Sequence, residues 1–267
     1  MPNDTLDPAA KEFYCHTLSV FEKAELPVLI GGAYAFGRYT GIERHTKDFD
    51  VFVREEHFLS TLRALDQAGY ATDTPFPHWL GKAYHGDFFV DVIFGSGNGI
   101  ARVDDEWFAH ATNDHVFDMP VLLCPPEEMI WSKAFIQERE RFDGADVAHL
   151  IRACGESIDW SRLLRRFAEH WQVLLSHLVL FGFIYPAERE RVPSWLMHAL
   201  LRRLEDTLSA PTPTERICRG TVLSRQQYLF DLERLGYRDA RSEPDNPMTA
   251  DEIATWTAGI ANDGSTD

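Results

Sequence analysis

The sequence has few cysteines, and no two of them are close together. Cys15, Cys124, Cys154 and Cys218 form neither a CxxC pair nor the dense spacing of a secreted disulfide scaffold, which points to a reducing, cytoplasmic setting. A long apolar run is also lacking. The most apolar stretch, Trp171 to Tyr185, is short for a bilayer span and is interrupted by Ser176 and His177, so it reads as a buried helix and no membrane association is expected. The first residues, MPNDTLDPAAKEF, show no basic region followed by an apolar one and do not read as a signal peptide. The histidines, among them His78, His85, His110 and His115, have no spacing of the HExxH kind, which removes a zinc site from consideration. FGSGNG has the glycines of a phosphate loop but neither its lysine nor the downstream helix of a dinucleotide fingerprint.

Positive charge is scarce as well. Against 42 acidic residues stand 26 basic ones, a formal net charge of -16, and a field of that sign repels polyanions at long range. A duplex nucleic-acid binder is disfavoured on that ground, whereas a local basic pocket for a nucleoside triphosphate or an RNA end is not.

With 267 residues, 45% of them hydrophobic and 25% charged, the chain is large enough to bury a core without a disulfide or structural metal. Its first part alternates strand and helix signals. Val28 to Ile30 is a short apolar run that meets Gly31-Gly32, after which AYAFGRY begins a helix. DFDVFV then alternates, with Phe49, Val51 and Val53 on one face of a strand and Asp48, Asp50 and Phe52 on the other. Glu55 to Ala68 has helical spacing and Gly69 is placed to stop it. WLGKAYHGDFFVDVIF reads as two strands joined at His85-Gly86-Asp87, and PVLLC as one more. After Pro125-Pro126 nearly everything to about Gly236 is helical in pattern. The expected organisation is an α/β lobe over 1–124, a helical domain over 125–240 with an active cleft between them, and a flexible acidic tail over 241–267.

The chemistry concentrates in the first lobe. Asp48 and Asp50, one residue apart on a strand, present both carboxylates to one side, where mutual repulsion calls for a cation. Magnesium suits them, since it takes oxygen ligands and keeps positions for water or phosphate. Asp91 is an acid inside the apolar run FFVDVIF, costly to bury without a partner. If its strand lies beside DFDVFV the three acids converge into a two-metal clamp. In that clamp Asp48 and Asp50 hold the ion on the triphosphate, and Asp91 binds the second ion or deprotonates the attacking hydroxyl. Gly31 and Gly32 allow a phosphate to approach the backbone at a helix start. Arg44, Lys47 and Lys133 are candidates to meet the charge of pyrophosphate. His45 is a loop residue near these groups, as readily a plain loop histidine as a substrate contact.

The segment VLIGGAYAFGRYTGIERHTKDFDVFV, followed by VDVIF, resembles the nucleotidyltransferase superfamily related to DNA polymerase beta. Its pattern is an apolar residue, paired small glycines, Asp-x-Asp, and a third acid on a later strand. The pattern is more similar to bacterial antibiotic nucleotidyltransferases and abortive-infection toxin-like nucleotidyltransferases than to polymerases. Lys133, with Asp143 or Asp146 one helix on, also resembles the toxin-like branch. The resemblance implies an α+β fold: a small mixed β-sheet nucleotidyltransferase-type core with flanking helices, followed by a mostly helical lobe. It further implies Asp48, Asp50 and Asp91 as magnesium ligands and catalytic acids, with ATP or another nucleoside triphosphate as substrate. A small-molecule acceptor is expected ahead of RNA or a protein side chain. The competing expectations are a non-catalytic, antitoxin-like protein that keeps the fold for binding, and a phosphohydrolase using the same metals.

Overall fold

The computed structural model describes residues 6–44, 46–244, 246 and 248–259. His45 and the last eight residues of the expected tail lie outside them. The chain forms two compact units, Met1–Pro125 and Pro126–Asp267.

In the first unit the order is α1 (Pro8–Lys23), β1 (Leu29–Ile30), α2 (Gly32–Thr40), β2 (Asp48–Phe52), α3 (Glu55–Gln67), β3 (Ala71–Phe76), β4 (Leu80–His85), β5 (Phe88–Ile93), α4 (Asp105–Ala109), β6 (Thr112–Val116) and β7 (Met119–Leu123). The seven strands make one mixed sheet in the order β3-β4-β5-β2-β1-β7-β6. β2 runs parallel to β5 and antiparallel to β1, and β1 runs parallel to β7. The sequence reading had not marked β3, α4 and β6. β3 contains Pro75 and lies at the sheet edge, where a residue lacking an N–H is tolerated. β6 carries Asn, Asp and His, which hide a strand from any apolar pattern.

Alternation in the central strands sorts the two faces of the sheet. Phe49, Val51, Val90 and Val92 are fully buried, and Tyr14 of α1 stacks on Phe49, with Tyr34 of α2 edge-on to the same ring. Gly81 and Ala83 of β4 continue that face, because they pair with Val92 and Val90. α3 lies so close that a Cβ at Gly81 would stand 2.8 Å from Leu62 and 2.9 Å from Phe58. Glycine there is a packing requirement. The opposite face carries the carboxylates and is closed at one end by Phe52 stacked on Trp107 of α4.

The second unit comprises α5 (Pro126–Ala134), α6 (Gly144–Cys154), α7 (Trp160–Phe167), α8 (Trp171–Ile184), α9 (Ser194–Ser209), β8 (Ile217–Cys218), α10 (Leu229–Leu235), β9 (Arg238–Asp239) and α11 (Ala250–Ala258). It is mostly helical, as the pattern predicts. α10 begins at Leu229, and just before it the Ser224 hydroxyl accepts from Gln227 N. The segment expected as a flexible tail contains α11, closed by a capping box between Thr249 and Glu252. Arg241, 1% exposed, ties the segment down through Asp239 and Thr257.

Trp171–Ile184 is buried along one face only. Leu174, Leu175, His177, Leu178 and Phe181 face inward, while Val179, Leu180, Phe183 and Ile184 are exposed, so the reading of a buried helix holds for one face of it. Together with α7 the run Trp160–Ile184 has the length and apolarity of a membrane span. It is broken at Ala168, whose φ of 42° sets off a 3₁₀ turn over Ala168–His170. Its first turns carry Arg162, which is paired to Glu127 at 2.6 Å and to Glu128. Arg166 adds a contact of 3.0 Å to Glu128. This network is the electrostatic centre of the unit, and deleting one member would leave an uncompensated charge costing about 3–5 kcal/mol.

His177 reports on the same packing. Its Nε2–H donates to the Ala134 carbonyl at 2.9 Å, and burial pushes its pKa below the ordinary value, with the hydrogen bond opposing. The folded chain therefore binds the proton less readily than the unfolded one, so stability falls as the pH drops below about 6.5. Thermal melts between pH 8 and pH 5 should show this acid-side loss in the wild type. The slope should flatten in His177→Gln, and a slope that the substitution leaves untouched would assign the loss to another group.

Candidate metal site

Asp48, Asp50 and Asp91 converge. β2 and β5 are parallel neighbours in register, Asp48 opposite Phe89 and Asp50 opposite Asp91, so the period-two alternation of each strand sends all three side chains to one face. One carboxylate oxygen from each lies within 4.8 Å of the others. The donors are all oxygen, the set preferred by a hard divalent cation such as magnesium.

The two glycines shape the opposite wall. Gly31 N donates to Asp50 O at 3.0 Å, which binds the strand-to-helix turn to β2. Gly31 is the N-cap of α2 and offers no side-chain cap, leaving first-turn N–H groups of the kind that suit an anion. Gly32 has φ of +51°, and a Cβ there would lie 1.7 Å from Asp50 Oδ2. A Cβ at Gly31 would lie 2.3 Å from the Phe52 ring. Both positions therefore need glycine for space, and Gly32 needs it for conformation too.

Burial raises the pKa of Asp91, Lys82 lowers it, and the neighbouring Asp48 raises it again. Lys82 Nζ donates to Asp91 Oδ1 at 2.7 Å. The hydroxyls of Tyr14 and Tyr34 are pushed well above the usual phenol range, first by burial and then, among other causes, by the field of Asp48 and Asp50. Tyr14 spends its proton on the Lys47 carbonyl, at 2.8 Å, and Lys47 O also accepts from Phe89 N. The backbone at Lys47 thus fixes where β2 begins.

The remaining candidates are placed as follows. Lys47 and Arg44 are exposed, and the Arg44 guanidinium stacks 4.5 Å over the Phe36 ring. Lys133 belongs to the second unit, where its ammonium is held between Asp143 at 3.0 Å and Asp146 at 2.8 Å. Burial works against the charge of Asp143, but Arg141 and Lys133 outweigh it and hold its carboxyl below the usual range. Lys82 is the residue that the sequence reading missed. Counting back from a turn over His85-Gly86-Asp87 would put position 82 opposite 90; in the structure His85 pairs with Phe88 and the turn is Gly86-Asp87, which brings Lys82 opposite Asp91.

No protein-family model matches the chain, and no curated protein matches it. Among solved structures it is similar to the antibiotic-resistance factor ANT(2'')-Ia, at 17% identity and a TM-score of 0.47, over 64% of this chain and 98% of the other. It is similar to the lincosamide antibiotic adenylyltransferase LnuA at 15% identity and a TM-score of 0.39, over 55% and 98%. An antigenic nucleotidyltransferase-like protein from Paracoccidioides brasiliensis is similar at 16% identity and a TM-score of 0.38, over 64% and 93%. These likenesses are remote, and the functional reading rests on the residues described above.

The glycine wall gives a direct test. Gly32→Ala adds a left-handed strain and displaces the Asp50 carboxylate, so a loss of about 1–3 kcal/mol of stability is expected. Divalent-ion binding should weaken with it. Wild-type melting temperature and wild-type manganese affinity in this variant would contradict the close approach of Gly32 to Asp50.

Proposed function

We propose that this chain is a nucleotidyltransferase of the superfamily related to DNA polymerase beta. It moves a nucleoside monophosphate from a nucleoside triphosphate, ATP, to a hydroxyl acceptor with release of pyrophosphate. The observation that carries the reading is the meeting of three carboxylates from two parallel strands within 4.8 Å, beside an uncapped helix start at Gly31-Gly32.

Asp48, Asp50 and Asp91 would hold magnesium, which supplies positive charge to the phosphate oxygens and favours the ionised form of the attacking hydroxyl. The chain's own work is then positioning. The first turn of α2 receives phosphate oxygens through backbone N–H groups. Asp91 takes the proton as the acceptor oxygen bonds to the α-phosphorus and the bond to pyrophosphate breaks. Arg44 and Lys47, both exposed, meet the charge of the leaving group. Lys133 is assigned no such role, since two aspartates already hold its ammonium. With a net charge of -16, a small-molecule acceptor is favoured over RNA, and over a protein side chain as well. The four cysteines are free, in keeping with a reducing cytoplasm.

Asp48→Asn and Asp50→Asn should each lower the rate of pyrophosphate release by a hundredfold or more, because charge neutralisation is the main catalytic contribution. Circular dichroism should stay that of the folded chain. Wild-type turnover in either variant would remove that residue from the mechanism. Calorimetry with ATP and magnesium separates an enzyme from a non-catalytic scaffold, since a scaffold would be indifferent to the same substitutions.

A further inference from the structure

Only one side of α8 is used inside its own unit. Leu174, Leu178 and Phe181 anchor it, while Gln172, Ser176, Val179, Leu180, Phe183 and Ile184 face solvent. Their separations of three, four and seven residues gather the side chains into one ridge along the helix. Phe183, 83% exposed, and Val179, 56% exposed, stand at its crest. Ser176, two turns before Phe183, is its low point. The Ser176 hydroxyl already donates to the Val173 carbonyl at 2.8 Å, so covering it leaves no donor unpaired.

Charge narrows what can cover this ridge. A helix that lies on a lipid surface carries Lys and Arg along its polar side; α8 has neither, and a net charge of -16 is repelled by anionic headgroups. The same net charge pushes two copies of the chain apart nearly everywhere. Residues 160–209 are the exception, with seven arginines against five acids, so two copies approach there with the least repulsion. The ridge is also self-complementary. A two-fold axis crossing α8 between Val179 and Leu180 runs the two helices antiparallel and pairs positions equally far on either side of it. Phe183 then faces Ser176 of the partner subunit, crest over low point, and the contact occurs twice. The six exposed residues offer on the order of 500 Å², close to the about 600 Å² that each chain gives to the smallest specific interfaces. We propose that the exposed face of α8 is the docking surface for a second copy of this chain, packed antiparallel about that axis with micromolar affinity.

Sedimentation velocity on the whole protein across the micromolar range tests this. The wild type should pass from monomer to dimer as its concentration rises. Phe183→Asp places a carboxylate on the crest and should move that midpoint at least tenfold higher; with so exposed a side chain, its thermal melt should stay that of the wild type. Leu59→Asp, at an exposed leucine of α3, should leave the midpoint where it is. Ser176→Cys mixed with Phe183→Cys should form an intermolecular disulfide above the wild-type background and above either variant alone, because like positions are separated by about 10 Å along the antiparallel helices. A wild type that stays monomeric, a dimer as tight in Phe183→Asp as in the wild type, or one weakened equally by Leu59→Asp would overturn the proposal. A mixture that cross-links no better than its components would overturn the antiparallel pairing. Binding of a monomeric wild type to phosphatidylcholine–phosphatidylserine vesicles, lost in Phe183→Asp, would give the face to a lipid surface instead.

Discussion

The in-register parallel pairing of β2 with β5 is the contact on which the site depends. It places Asp50 directly opposite Asp91 and lets Asp48 reach the same face one residue pair away. Two unit charges within 4.8 Å of each other repel by on the order of 3 kcal/mol or more at the effective dielectric of a protein surface. A fold with this register therefore carries a local electrostatic cost that its apolar face must outweigh. That face does so with Phe49, Val51, Val90 and Val92 all fully buried and with three helices laid over the sheet. Slipping β5 by one residue would turn Asp91 into that core and Val90 or Val92 toward the acids, so packing and site geometry demand the same register.

Much of this was legible in the residues, because alternation is a local property. DFDVFV and FFVDVIF each announce which side their acids take, and Gly31-Gly32 announces a tight strand-to-helix passage. Whether the two strands are neighbours is a non-local matter that alternation leaves open; the pairing closed it. What stayed hidden was hidden for identifiable reasons. β6 lacks an apolar face, β3 is an edge strand carrying a proline, and α4 is little more than one turn around Trp107. α11 lies in a stretch rich in proline, asparagine and acids, a composition that reads as tail. Its capping box and the buried Arg241 anchor, which depend on residues far apart along the segment, make it a helix.

The second unit meets the problem of buried charge differently. Glu127, Glu128, Arg162 and Arg166 form a network in which acids and guanidiniums are matched inside the helical core, so no external ion is required. Glu128 still has its pKa pushed upward, by burial first, against the pull of Arg162 and Arg166. Lys133 and Arg141 with Asp143 and Asp146 repeat the pattern at the α5–α6 contact. These are matched sets whose members hold helices together. The acids of the sheet are gathered differently, as three half-buried carboxylates with oxygens within 4.8 Å of one another, and such a crowding of like charge is the arrangement that invites a cation from outside.

Lys82 sits between these two cases. It pairs with Asp91, which keeps that carboxylate tolerable beside Asp48 in a poorly hydrated setting. A lysine on the next strand is a better choice for this than an arginine would be. Its ammonium is a point charge on a flexible stem that gives up one oxygen contact at a time, whereas a guanidinium fork would engage both oxygens of the carboxylate. A carboxylate held by one oxygen remains oriented and keeps the other available. The partial match is therefore what lets the same aspartate be stable in the folded chain and still accept a ligand or a proton.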